Sequence, residues 1–135
     1  YFSCACPARC SEIQALMVLR SSDAIISKNM AIIRRNVALL DAFVAAHADV
    51  FGWVRPTAGA TAFLLLKDAS TSSEAFGEEL SAAGIGVKPA YCFGDEVVAG
   101  NDGFRVGYGE ESFPEHLAAL SAFVEERRQR AERGT

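Results

Sequence analysis

From Ile26 the apolar residues Met30, Ile33, Val37, Leu40 and Val44 recur at alternating steps of four and three, which places them in one stripe along a long helix. Ile25, Ile32, Leu39 and Phe43 form a second stripe beside it, so this helix is expected to face two layers, or another domain as well as its own. Ahead of it, Ile13, Leu16, Met17 and Arg20 predict a short helix, with Ser11 and Gln14 as its capping box. The period then changes. Phe51 to Pro56 reads as a short strand stopped by proline, and the small and apolar run Ala60 to Leu66 as its hairpin partner. Thr71 with Glu74 predicts a second capping box, opening a helix through Leu80 that Gly84 closes. Gly86 to Lys88 is a brief strand ended by Pro89, and Tyr91 to Asp102 is loop. Phe104, Val106 and Tyr108 alternate with Arg105 and Gly107 as in a half-buried strand. Ser112, Pro114 and Glu115 start a last helix with the stripe Phe113, Leu117, Leu120 and Val124.

The expected order is two helices, two strands, a helix, two strands and a helix. That predicts an α+β two-layer domain, a small and mostly antiparallel sheet of about four strands packed against helices and preceded by a long connecting helix. At 135 residues, 50% hydrophobic and 22% charged, the chain can build one core and is too short for two ordinary domains. The net charge of −4 argues against nucleic-acid binding. Arg127, Arg128, Arg130 and Arg133, interleaved with Glu125, Glu126 and Glu132, read as a solvated helix end. No stretch approaches the roughly 20 apolar residues of a membrane span. The opening Tyr1-Phe2-Ser3-Cys4 has no polar lead-in and reads as though cut from a longer sequence.

Candidate chemistry is sparse. Cys4, Cys6 and Cys10 lie together, but Cys92, His47 and His116 stand far off in other elements, so ordinary thiols in a reducing compartment are expected and no metal site. Neither histidine has a neighbouring Ser, Cys or acid pattern that makes a nucleophile and base. Lys28, Lys67 and Lys88 are the only lysines, and none stands in a pattern that would lower its pKa for Schiff-base chemistry. The glycines form no phosphate-binding loop. Arg105 leaves its strand on the face opposite Phe104 and Val106, and a planar guanidinium suits a carboxylate. Spacing alone favours a plainer role, an exposed strand arginine paired with a surface glutamate.

Four segments in order change that weighing. The stretch from Trp53 through Pro56 and Gly59 to Phe63, then Gly84-Ile85-Gly86-Val87-Lys88-Pro89 with Phe93-Gly94, then Gly103-Phe104-Arg105-Val106-Gly107-Tyr108-Gly109, resemble the small domain of the class I and II aminotransferases. Tyr1 to Asn36, with Arg34, Arg35 and Asn36 on the long helix, is similar to the part of those enzymes that leads from the large domain into the small one. The resemblance implies a carboxyl-terminal domain over 1–135, with 1–47 as connecting helices, of a pyridoxal-phosphate enzyme of fold type I. In it Arg105 takes the position that binds the substrate α-carboxylate. The catalytic lysine, the acid facing the pyridine nitrogen and most phosphate contacts would belong to a large domain ahead of Tyr1, so no catalytic or cofactor-binding residue is carried over. The implied substrates are an amino acid and a 2-oxo acid. A homodimer in the cytoplasm, with no nucleic-acid or membrane partner, is expected, and organellar targeting stays open. A pyridoxal-phosphate lyase or synthase, such as a carbon–sulfur lyase, shares this fold and its arginine, and a non-catalytic assembly domain is the alternative of another class.

Overall fold

In the computed structural model, residues 7–94 and 100–133 are described. Helices α1 (Arg9–Arg20) and α2 (Ser22–Ala46) are followed by strands β1 (Phe51–Gly52) and β2 (Thr61–Leu66) and helix α3 (Ser73–Ala82). Strand β3 (Lys88–Pro89), a single 3-10 turn over Ala90–Cys92, strand β4 (Gly103–Gly107) and helix α4 (Phe113–Arg133) complete the order. The sheet is antiparallel throughout, in the order β1-β2-β4-β3. This is the expected two-layer α+β architecture.

By contact density the chain divides into two compact units, residues 1–31 and 32–135. The first holds α1, which has no buried residue and leaves Met17 and Leu19 64% and 70% exposed, and the first turns of α2. The second holds the sheet and the core. Its inner side chains include Phe104 from β4 with Tyr108 just beyond it, and Leu40, Phe43 and Val44 from α2, all on expected stripes, together with Ala62 and Leu64 from the apolar run of β2. Phe76 and Leu80 of α3 and Phe113, Leu117, Leu120, Phe123 and Val124 of α4 belong to the same cluster. The rings of Phe51, Phe76 and Phe104 meet one another at 5.8 to 6.0 Å between centroids, the spacing of stabilising aromatic pairs. Ile33 and Val37 of the first α2 stripe pack against this core, whereas in the second stripe Phe43 is buried and Leu39 exposed.

Several local expectations are corrected. Helix α1 begins two residues before Ser11, with Ala8 as N-cap and no side-chain cap. Helix α3 is capped by Ser72, whose hydroxyl accepts from the Ala75 N–H, because Thr71 is instead held by the Asp68 carboxylate. The first strand of the hairpin is only two residues long. Strand β3 lies at Lys88–Pro89 rather than Gly86–Lys88, proline being tolerated because β3 is an edge strand. Gly84 does close α3, at φ +80°. The basic helix end is more engaged than a solvated one: Arg127 crosses to Glu79 at 2.9 Å and lies over the Phe76 ring, and Arg128 reaches Asp49 at 2.7 Å.

Strand β4 is pinned at both ends. Asp102 accepts from the Ser73 and Gly103 N–H groups, tying the strand's start to the first turn of α3. Gly103 passes so close to β2 that a Cβ would meet the Leu64 carbonyl oxygen, which is why glycine stands there. After the strand, the fully buried amide of Asn36 donates to the Tyr108 and Glu110 carbonyls at 3.0 and 2.7 Å, and Arg35 donates to the Glu111 carbonyl.

Replacing Asn36 by Ala leaves two carbonyls without their donor and is expected to lower the unfolding free energy by about 2 kcal/mol, read from a urea titration. Asp49 has its carboxyl held below the ordinary 3.8, first by the hydrogen bond from Arg128. A depressed folded pKa contributes stability above the ordinary value that is lost as pH falls through the folded one. Asp49→Asn should therefore flatten the fall of Tm below pH 3.8, followed by circular dichroism.

Candidate functional site

Arg105 stands at the middle of β4, between the buried Phe104 and the half-buried Val106. Because β-strand side chains alternate, burial of Phe104 sends Arg105 to the outer face of the sheet, where it is exposed. Register places Phe63 of β2 directly opposite it on one side and Lys88 of β3 on the other. These three residues form a row across the outer face. Phe93, just past the 3-10 turn, lies over the row: its ring packs edge-on against Phe63 at 6.1 Å, with the Arg105 guanidinium carbon 5.6 Å and the Lys88 Nζ 5.9 Å from its centroid. A cation near an aromatic ring is attracted by the ring quadrupole, so Phe93 holds both cations to one patch. Among the described residues neither cation has a carboxylate within salt-bridge distance or a hydrogen-bond acceptor. The surface glutamate expected from spacing alone is not found beside Arg105 among the described residues.

Tyr91, the middle residue of the 3-10 turn, is exposed. Its phenol is held above the ordinary 10, first by the neighbouring Cys92 thiol and then by burial, with Glu74 and Glu78 adding to the effect. It stays a protonated donor at neutral pH. Of the stretch expected to be loop, Asp95 to Ala99 lie outside the described residues. A cavity of about 340 Å³ lies between β4 and α4; Arg105 and His116 are among its lining residues, with Ile85, Val87, Phe113 and Leu117 supplying apolar walls.

The other candidates separate. Lys28 and Lys67 are exposed, and Lys67 donates to the Ala48 carbonyl. Lys88 is exposed too, so none of the three is desolvated as a Schiff-base lysine must be, and the described residues of this chain do not fit the task of holding pyridoxal phosphate. Cys10 and Cys92 are free and exposed, Cys4 and Cys6 lie outside the described residues, and no three His, Cys, Asp or Glu among the described residues gather as metal ligands. No helix among them is long and apolar enough to cross a membrane.

His47 corrects the sequence reading. The fold brings its Nε2 to 3.1 Å from Ser121 Oγ and its Nδ1 to 3.6 Å from Glu125 Oε1, the neighbours that linear spacing did not reveal. The second distance is too long for a hydrogen bond, and Nδ1 is buried without one. Ser121 stands inside α4, whose N–H groups are engaged in the helix, so no pair of donors is left to receive an oxyanion. The cluster is a polar joint between the end of α2 and α4.

No family model matches the chain, and no curated protein sequence does. Among solved structures, the chain is similar to the PLP-dependent cyclase OrfR in a crystal structure with Au, at 28% sequence identity and a TM-score of 0.76. The likeness covers 90% of this chain and 33% of that one, so the chain spans about a third of its neighbour's length. Its fold is therefore one that a PLP-dependent enzyme builds from a third of its chain.

Alternation in the sequence places Arg105 on the outer face of β4 but does not give its neighbours there. Lys88 and Phe93 stand within the segments that carry the resemblance, but nothing in their spacing gives the register that sets Lys88 against Arg105.

Phe93→Leu removes the ring that both cations share, worth about 0.5–1 kcal/mol at an exposed site. The expected outcome is greater mobility of the Arg105 side chain, read as a fall in the nuclear Overhauser effect at its Nε–H, with the fold's Tm little changed.

Proposed function

We propose that this chain is the substrate-side portion of a pyridoxal-phosphate-dependent aminotransferase, in which Arg105 binds the α-carboxylate of the amino acid and of the 2-oxo acid. The observation that carries the reading is the exposed guanidinium of Arg105 at the centre of β4, without a carboxylate partner among the described residues and backed by Phe93. Its two parallel N–H groups match a carboxylate's two oxygens, an interaction stronger than a neutral hydrogen bond. Gripped in that way, the substrate has its Cα orientation set, and orientation decides which bond reacts. When bound, pyridoxal phosphate supplies the electron sink for that bond. The lysine that holds it belongs, in this reading, to a further segment, because the three lysines here are exposed. Support comes from the likeness to a PLP-dependent enzyme three times as long, and from the apolar side chains that α1 leaves uncovered, among them Ile13 and Leu16.

A second reading is favoured by the neighbour itself, which is a cyclase. A lyase, synthase or cyclase would use the same arginine for the same carboxylate, and the difference would lie in residues outside this chain. Formation of a 2-oxo acid product distinguishes transamination from the others.

The test uses the full-length gene product incubated with pyridoxal phosphate. Near-visible absorbance of the bound cofactor and amino-group exchange with pyruvate are expected. Arg105→Ala should lower kcat/KM by about 3 kcal/mol, mainly through KM, while Arg105→Lys keeps the charge, loses the fork and falls between the two. An unchanged kcat/KM in Arg105→Ala removes the assignment, and the absence of the cofactor band removes the enzyme reading.

A further inference from the structure

We infer that Lys88 is a second anion-binding residue on this face, which gives the site a preference for ligands carrying two negative charges. This deepens the reading of Arg105 as a carboxylate-binding residue and rests on it.

Lys88 and Arg105 are direct partners across β3 and β4. Two like charges opposite one another on neighbouring strands destabilise the pairing. Surface pairs of this kind are ordinarily relieved by an acid nearby, yet no described carboxylate lies within 4 Å of either cation. Both are instead held near the same ring, at 5.9 and 5.6 Å from the Phe93 centroid, and Phe93 is itself braced by Phe63. Cation–π attraction limits where the two charges go and does not neutralise them. Among the described residues the patch therefore carries two unit charges without an acid to compensate them. A monocarboxylate on Arg105 answers one of them and leaves Lys88 facing solvent. An acid with a second negative group answers both, and each ion pair lessens the repulsion between the strands. The ligand class is a doubly charged acid, either an amino acid with a second carboxylate or a phosphate monoester.

Two residues divide the work. Arg105 offers the planar fork suited to a fixed carboxylate, whereas Lys88 is a point charge on a flexible stem that can follow a second group of variable reach. Lys88 is accordingly a specificity residue, and Arg105 an affinity residue for every acid.

The experiment titrates the chain itself, without cofactor, with succinate, butyrate and methyl phosphate at low ionic strength, following amide and side-chain resonances. Succinate is expected to bind about tenfold more tightly than butyrate. A factor of two comes from its two equivalent carboxylates, and about fivefold from an exposed second ion pair. Lys88→Gln should reduce that ratio to about two, Lys88→Arg should preserve it, and Lys28→Gln should leave it unchanged. Added salt should shrink it. A gain for methyl phosphate alone assigns both cations to one doubly charged group; a gain for succinate assigns them to two separate groups. A wild-type ratio near two for succinate with no gain for methyl phosphate, or a ratio that survives Lys88→Gln, overturns the role of Lys88. Failure of the carboxylate reading looks different: Arg105→Gln would then leave butyrate and succinate binding alike untouched.

Discussion

Burial of the Phe104 ring against Phe51 and Phe76 governs what the outer face of the sheet can present. A strand has only two faces, so once Phe104 is committed to the core, Arg105 has no choice of side. The commitment is strong. Phe104 is fully buried, and full burial of a large apolar side chain stabilises by roughly 1.5–3 kcal/mol. A slip of one residue in the pairing of β4 with β2 would put Arg105 into that core and Phe104 into water, and an unpaired buried guanidinium could not be tolerated. The direction of the Arg105 side chain thus follows from the packing of its neighbour.

Direction alone does not fix position, and here the ends of β4 matter. At its start the strand is tied through Asp102 to the first turn of α3, and Gly103 lets it approach β2 more closely than any residue with a Cβ could. At its end Asn36 and Arg35 of α2 take the carbonyls of residues 108, 110 and 111. Buried amide-to-carbonyl bonds of this kind are directional, and leaving either partner unmade is costly, so they specify one placement where apolar packing would accept several. Helices α2 and α3 therefore act on the site without contributing a group to it.

Periodicity alone made much of this legible. The alternation at Phe104, Val106 and Tyr108 gave β4 with its faces, and the stripe from Phe113 to Val124 gave α4 with its buried side, because both patterns are local and both faces meet very different surroundings. The caps were misplaced for a reason that is equally local. Thr71, Ser72 and Ser73 all carry hydroxyls, and only the competing Asp68 decides that Thr71 turns away and Ser72 caps the helix. What sequence could not give is anything that depends on register between distant segments. Lys88 meets Arg105 because Pro89 pairs with Phe104, and His47 meets Ser121 because α2 and α4 pack on the same core. The arginine was legible as a residue type on a strand; its neighbourhood was not.

The row Phe63, Arg105 and Lys88 with Phe93 above it also explains why this face can remain charged without collapsing. An aromatic ring between two cations offers each a favourable contact that needs no acid, and acids placed there would compete with an acidic ligand. Had a glutamate stood opposite Arg105 in place of Phe63, the guanidinium would be neutralised in the resting chain, and any incoming carboxylate would first have to displace it. Aromatic support keeps the two donors oriented while leaving their charge available. That is the physical difference between an arginine neutralised within a sheet and one whose charge stays available, and among the described residues the partners of Arg105 are aromatic, not acidic.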